Sequence, residues 1–151
     1  AQGITVRVIN GITAGLAAVT SLGVPLTHRE HAHGVLFLTG HAKPGDAAPD
    51  WPTLAATARD NRLTLVIYMG LSAAARIQTG LLRGLPAATP VALVQNASLP
   101  GQRHVLVRLD QLQSCVEREQ LASPCVIVVG DVLQGLAAAQ QPSAPEQRRL
   151  A

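Results

Sequence analysis

A chain of 151 residues, 48% of them apolar, fits one domain of ordinary size with a real core. Twelve basic residues against nine acidic ones leave a net charge of +3. The arginines are dispersed and aromatics make up only 2%, which argues against a nucleic-acid surface built on charge and stacking. No apolar run approaches the roughly 18 to 20 residues that cross a bilayer, and Ala1-Gln2-Gly3 lacks the basic and apolar regions of a signal peptide. The expected location is the cytosol.

The first apolar run, residues 5–9, reads as the end of a buried strand through Val6, Val8 and Ile9, and Asn10-Gly11 supplies turn residues after it. Thr13 stands where an N-cap belongs, opening a helix over 13–22. The small residues Ala14 to Ala18 at its start would let a ligand or a second layer lie against the backbone. Strands follow at 34–39, 64–68, 91–95, 104–108 and 125–129. Asp50 caps a helix that begins Trp51-Pro52, since proline in the first turn loses no hydrogen bond. Ser72 caps a third helix, with Ile77, Leu81 and Leu82 at helical spacing and a stop near Gly84. A fourth spans 109–121, ended by Ser123-Pro124.

Leu65-Val66-Ile67 and Val126-Ile127-Val128-Val129 are apolar on both faces and need covering from both sides, which predicts an α/β fold with helices on each face. Residues 96–102 join two strands without a helix, so that pair is antiparallel and the sheet mixed. The expectation is an αβα sandwich around a five-stranded mixed sheet, preceded by an orphan strand and helix. From Gln134 onward, Ala and Gln, then Pro142, Pro145 and Arg148-Arg149, read as a fraying helix and a disordered tail.

Several residues carry chemistry in principle. His28, His31, His33 and His41 are zinc-ligand types, but no H-E-x-x-H or C-x-x-C accompanies them, so the spacing speaks against a metal. Cys115 and Cys125 form no such pair, and Cys125 sits in an apolar run, favouring a buried free thiol over a disulfide. Eleven of the twelve basic residues are Arg, with Lys43 alone. That bias suits a polycarboxylate ligand and equally suits a GC-rich coding sequence. Tyr68-Met69-Gly70 leaves a strand where open α/β sheets bind ligands, although a plain strand exit explains it as well. No Ser-His-Asp set, phosphate loop or dinucleotide fingerprint is visible.

The run Gly11-Ile-Thr-Ala, then Gly23-Val-Pro-Leu-Thr-His-Arg-Glu30, resembles the domain junction of uroporphyrinogen-III C-methyltransferases, members of the tetrapyrrole methylase family. That pattern is Pro-Gly-Ile-Thr-Ala and Gly-Ile-Pro-Leu-Thr-His-Arg-Asp. The resemblance continues through Val35 to His41, Asp50-Trp51, Thr64 to Gly70 and Pro90 to Asn96, up to about Leu133. Asn10 stands where the family usually has Pro, and Ala97 where it usually has Gly.

The resemblance implies S-adenosylmethionine bound between two α/β domains, with S-adenosylhomocysteine as product. It places cofactor contacts at Thr13, Ala14, Met69 and Ala97, and contacts to the carboxylates of uroporphyrinogen III at Thr27, His28 and Arg29. The family's Gly-rich loops and acid and base residues lie before the junction, so no catalytic residue falls in this chain. It resembles the second half of an enzyme that makes precorrin-2 for sirohaem and cobalamin, homodimeric in full form and inactive in part. The implied division is 1–33 as junction and remnant of the first domain, 34–134 as the α/β domain and 135–151 as tail. Another precorrin methylase, or a non-catalytic binding or assembly domain of the same fold, is the alternative.

Overall fold

Residues 3, 5–42, 45 and 47–136 are described by a computed structural model. Five strands, β1 (Gly34–Thr39), β2 (Leu63–Tyr68), β3 (Pro90–Gln95), β4 (Arg103–Arg108) and β5 (Cys125–Val129), form one sheet in the order β1-β2-β5-β3-β4. β1 and β2 are parallel, whereas β5 runs antiparallel to both of its neighbours and β3 antiparallel to β4. The carboxyl ends of β1, β2 and β3 therefore share one end of the sheet with the amino ends of β4 and β5. The last strand in sequence takes the central place, and all five of its residues are buried.

Side chains alternate across the sheet with the two-residue period of a strand. Leu65, Ile67, Val91, Leu93, Ile127 and Val129 pack with α2 (Trp51–Asp60), α3 (Ala74–Leu81) and α4 (Leu112–Arg118). Val66, Ala92, Val94, Val126 and Val128 pack on the other face with Ala18, Val19 and Leu22 of the α1 region and with Val132 and Leu133. α1 (Ala14–Ser21) is thus the third layer of the sandwich. Residues before 34 thus pack on the same sheet as the elements that follow them.

Thr13 and Asp50 cap α1 and α2 as their side chains predict, accepting from the amides of Gly15 and Thr53. Gly80 of α3 meets Trp51 so closely that a Cβ there would lie 3.1 Å from Trp51 Cγ and closer still to its Cβ. That contact sets the α2–α3 crossing.

Local expectations fail in four places. Residues 5–9 form no strand: Val6, Val8 and Ile9 are at least 80% exposed, because alternation alone makes no strand without a partner to pair with. Asn10-Gly11 adopts no turn, and neither residue has a positive φ. Ser72 does not cap α3; it lies inside a 3-10 turn, Leu71–Ala73, and α3 starts at Ala74 without a side-chain cap. The fourth helix is shorter than 109–121, since a 3-10 turn takes Leu109–Gln111 and the left-handed Gln120 (φ +50°) follows its end. The tail from 137 onward lies outside the described residues. Cys115 and Cys125 are both buried and free.

Candidate functional site

At the end of the sheet where β1, β2 and β3 finish, α1 begins beside Tyr68. The Tyr68 hydroxyl bonds Thr13 Oγ1 and accepts from the Gly15 amide at 3.2 Å. Thr13 Oγ1 accepts from the same amide at 3.1 Å, so the cap and the strand end are tied at one point. Gly15 is required by that approach, because a Cβ would stand 2.7 Å from Val66 Cγ1 and 2.9 Å from Tyr68 Cζ. The small residues at the start of α1 therefore admit a second layer at Gly15 and leave Ala14 open. Phe37 of β1 stacks on Tyr68, centroids 6.2 Å apart.

Beside this junction opens a cavity of about 380 Å³ lined by Ala14, Tyr68, Met69, Val94, Ala97, Leu99 and the segment 123–126. No charged side chain lines it. Three residues around it hold left-handed backbone, Met69 at φ +50°, Asn96 at +54° and Ser98 at +65°. Such conformations are uncommon away from glycine, and they turn the peptide groups out of the strand direction at the strand exits. Met69 is 63% and Leu99 54% exposed, so the rim is apolar and open. Cys125 borders the cavity, but its side chain packs with Leu112 and Cys115 on the other face of the sheet, where burial pushes the thiol up to about 11 against the opposing pull of Arg103.

Ala14, Met69 and Ala97, drawn from three separate stretches of sequence, meet at this cavity, and Thr13 stands next to it through Tyr68. Thr27, His28 and Arg29 do not. They belong to a turn at the opposite end of the sheet, where Thr64 Oγ1 donates to the Leu26 carbonyl at 2.8 Å and the His33 amide to the Arg62 carbonyl at 2.8 Å. Six residues of β2 separate the two ends, about 17 Å at 3.3 to 3.4 Å per residue. A larger, shallow hollow of about 490 Å³ lies between α2 and α3, bordered by Trp51, Arg76 and Arg83; it joins none of these residues.

Tyr68 is the site residue that sequence reasoning passed over. Its only signal was an aromatic at a strand's last position before Met69-Gly70. Asn96 had a signal too, as asparagine tolerates left-handed backbone. Among the described residues no helix is long and apolar enough to cross a membrane.

The model of tetrapyrrole (corrin/porphyrin) methylases matches residues 1–113. Siroheme synthase of Azotobacter vinelandii is 44% identical over 135 residues, covering 89% of this chain and 28% of that protein. Siroheme synthase 2 of Yersinia enterocolitica is 49% identical over 127 residues, covering 83% and 25%. The crystal structure of uroporphyrin-III C-methyl transferase from Thermus thermophilus, complexed with S-adenyl homocysteine, superposes with a TM-score of 0.70 at 32% identity, covering 88% of this chain and 54% of that one. A cobalt precorrin-4 methyltransferase superposes at 0.75 with 18% identity, a likeness of fold alone. The chain spans about a quarter of these siroheme synthases and about half of the solved methyltransferase. Sequence and fold agree, and the chain belongs to the tetrapyrrole methylase family.

Proposed function

We propose that the chain is the second α/β half of an S-adenosylmethionine-dependent uroporphyrinogen-III C-methyltransferase, acting toward precorrin-2. The supporting observation is the cavity at the strand ends, where Ala14, Met69 and Ala97 converge beside the Thr13–Tyr68 tie. Its residues fit an adenosine: the walls are apolar and uncharged, and the left-handed peptides at Met69 and Asn96 offer backbone groups at the rim. S-adenosylmethionine, when bound, supplies a methyl group already activated on a sulfonium.

The protein then has to hold and align more than to activate. Met69 and Ala97 would hold the nucleoside through their backbones, Tyr68 would fix the start of α1 beside it through Thr13 Oγ1 and the Gly15 amide, and Val94, Val126 and Leu99 would exclude water. This lining holds no charged side chain, so residues of the half that precedes the junction would hold the charged end of the cofactor. Thr27, His28 and Arg29 are a separate part of the proposal. They lie a strand length from the cavity, so only an extended ligand such as a tetrapyrrole with peripheral carboxylates reaches both. The whole enzyme is proposed to be a cytoplasmic homodimer.

Titration of this chain with S-adenosylhomocysteine, followed by calorimetry and by amide NMR, tests the reading. The expected result is weak binding with shifts confined to Ala14, Met69 and Ala97, and no turnover by this chain alone. Shifts elsewhere refute the site, and affinity equal to that of an intact two-domain enzyme refutes the division of labour between halves.

A further inference from the structure

The turn at residues 28–32 carries a donor set, His28, Glu30 and His31, of which only His28 is among the proposed substrate contacts. The His28 amide donates to the Ala32 carbonyl at 2.7 Å and the Ala32 amide back to His28 at 2.9 Å. This closure brings positions 28 and 31 together without a helix, and their imidazoles stack with centroids 4.8 Å apart and planes inclined by 20°. Glu30 completes the set, one ligand atom from each of the three lying within 4.8 Å of the others. Both rings border a hollow of about 360 Å³ beside Val132 and Leu136.

We propose that His28, Glu30 and His31 bind one divalent transition-metal ion of the Zn²⁺ or Ni²⁺ class. Two imidazoles and one carboxylate suit a borderline-soft ion and not Mg²⁺ or Ca²⁺, which take oxygen ligands. Zinc holds such donors at about 2.0 to 2.2 Å, so they must draw together by roughly an ångström. Glu30 is exposed and both rings are half-buried, so side-chain rotation achieves this without moving the turn. His28 accepts the Glu30 amide at Nδ1 over 3.2 Å. Coordination at that nitrogen displaces a weak contact, and the exposed amide turns to water. The opposing charge is Arg62, whose guanidinium donates to the Glu30 carbonyl at 3.4 Å. His33 stays outside the set, its Nε2 facing the Arg29 carbonyl at 3.3 Å.

Calorimetric titration of the chain with ZnCl₂ in a non-chelating buffer tests the site. One ion per chain is expected. His28→Gln and His31→Gln should each weaken binding at least about tenfold, on the scale at which donors around a metal matter. Arg62→Ala should tighten it by about two- to fivefold, as a nearby cation is lost, and His41→Gln should change nothing. Amide NMR of the unmodified chain should show zinc shifting Glu30 and His31 while Met69 stays still, which requires no variant to fold. His28 also belongs to the proposed substrate contacts, but neither readout uses a tetrapyrrole, so the two ideas fail separately. Absence of saturable uptake below millimolar zinc, several ions bound alike, or undiminished binding by His28→Gln overturns the proposal.

Discussion

Tyr68 and Gly15 make a single contact that neither residue's type reveals. The phenol ends β2 with its hydroxyl shared between Thr13 and the Gly15 amide, and the missing Cβ at Gly15 is the space that its ring and Val66 occupy. Gly15→Ala should therefore lower stability, an overpacking cost of about 1 to 3 kcal/mol exceeding the roughly 1 kcal/mol that alanine gains in a helix. Adding Tyr68→Phe should recover part of the loss, because the hydroxyl goes while the Val66 contact remains. Urea midpoints of the wild type and the two variants check this, and a double variant no better than Gly15→Ala would leave Val66 and the ring carbon Cζ as the obstacles. Small residues at the head of a helix were legible in the sequence. Which of them faced the sheet was not, since that depends on where a strand 50 residues later ends. Cys125 gives a second test at this scale. Burial raises its thiol from 9.0 to about 11, so the folded state keeps a proton that the unfolded chain releases, and this stabilising contribution is complete below about 9 and lost as pH climbs toward 11. The urea midpoint should fall over that window, and Cys125→Ala should lose most of the fall, with Cys115, also raised by burial, accounting for a remainder.

At the scale of elements, caps written in side chains were readable and tertiary placement was not. Asp50 was legible because carboxylate, Trp51-Pro52 and helical spacing agree in one short window. It accepts from both the Thr53 amide at 3.2 Å and the Thr53 hydroxyl at 2.7 Å. Those bonds hold its carboxyl below the ordinary carboxylate value, so the cap is intact above that value and is lost as pH falls through the lowered one. Relative to Asp50→Asn, which can still accept the amide bond but does not titrate, the wild-type chain should lose stability on acidification. Parallel acid titrations of the urea midpoint measure the difference, and identical curves would mean that the charge on the cap adds nothing. Ser72 failed as a cap because Gly70 turns the chain into a 3-10 turn first. The insertion of β5 between β2 and β3 was out of reach for a related reason: the apolar run announces a buried strand, but its neighbours are chosen by packing across the whole sheet.

The molecule as a whole has one unbalanced feature, the arm that leads into α1. Val6, Val8, Ile9 and Ile12 are 72 to 86% exposed, and among the described residues no backbone hydrogen bond ties residues 5–12 to the sheet. Burial is worth roughly 25 cal/mol per Å² of apolar surface, so four such side chains in water are a standing drive toward association. The sheet's two edges differ as receivers. β4 carries Arg103, His104 and Arg108, charges of the kind that keep an edge from pairing, whereas β1 (Gly-Val-Leu-Phe-Leu-Thr) carries none. An arm of alternating Val6-Arg7-Val8 from a second copy would add to β1 as an extra strand, giving both apolar surfaces a partner. Light scattering should accordingly find a mass above that of one chain, rising with concentration, and deletion of residues 1–9 should return it to the single-chain value. Phe37→Lys on the receiving edge should do the same with the arm in place. An oligomer that survives the deletion would move the contact to another surface, and one that survives only Phe37→Lys would keep the arm but reject β1 as its dock.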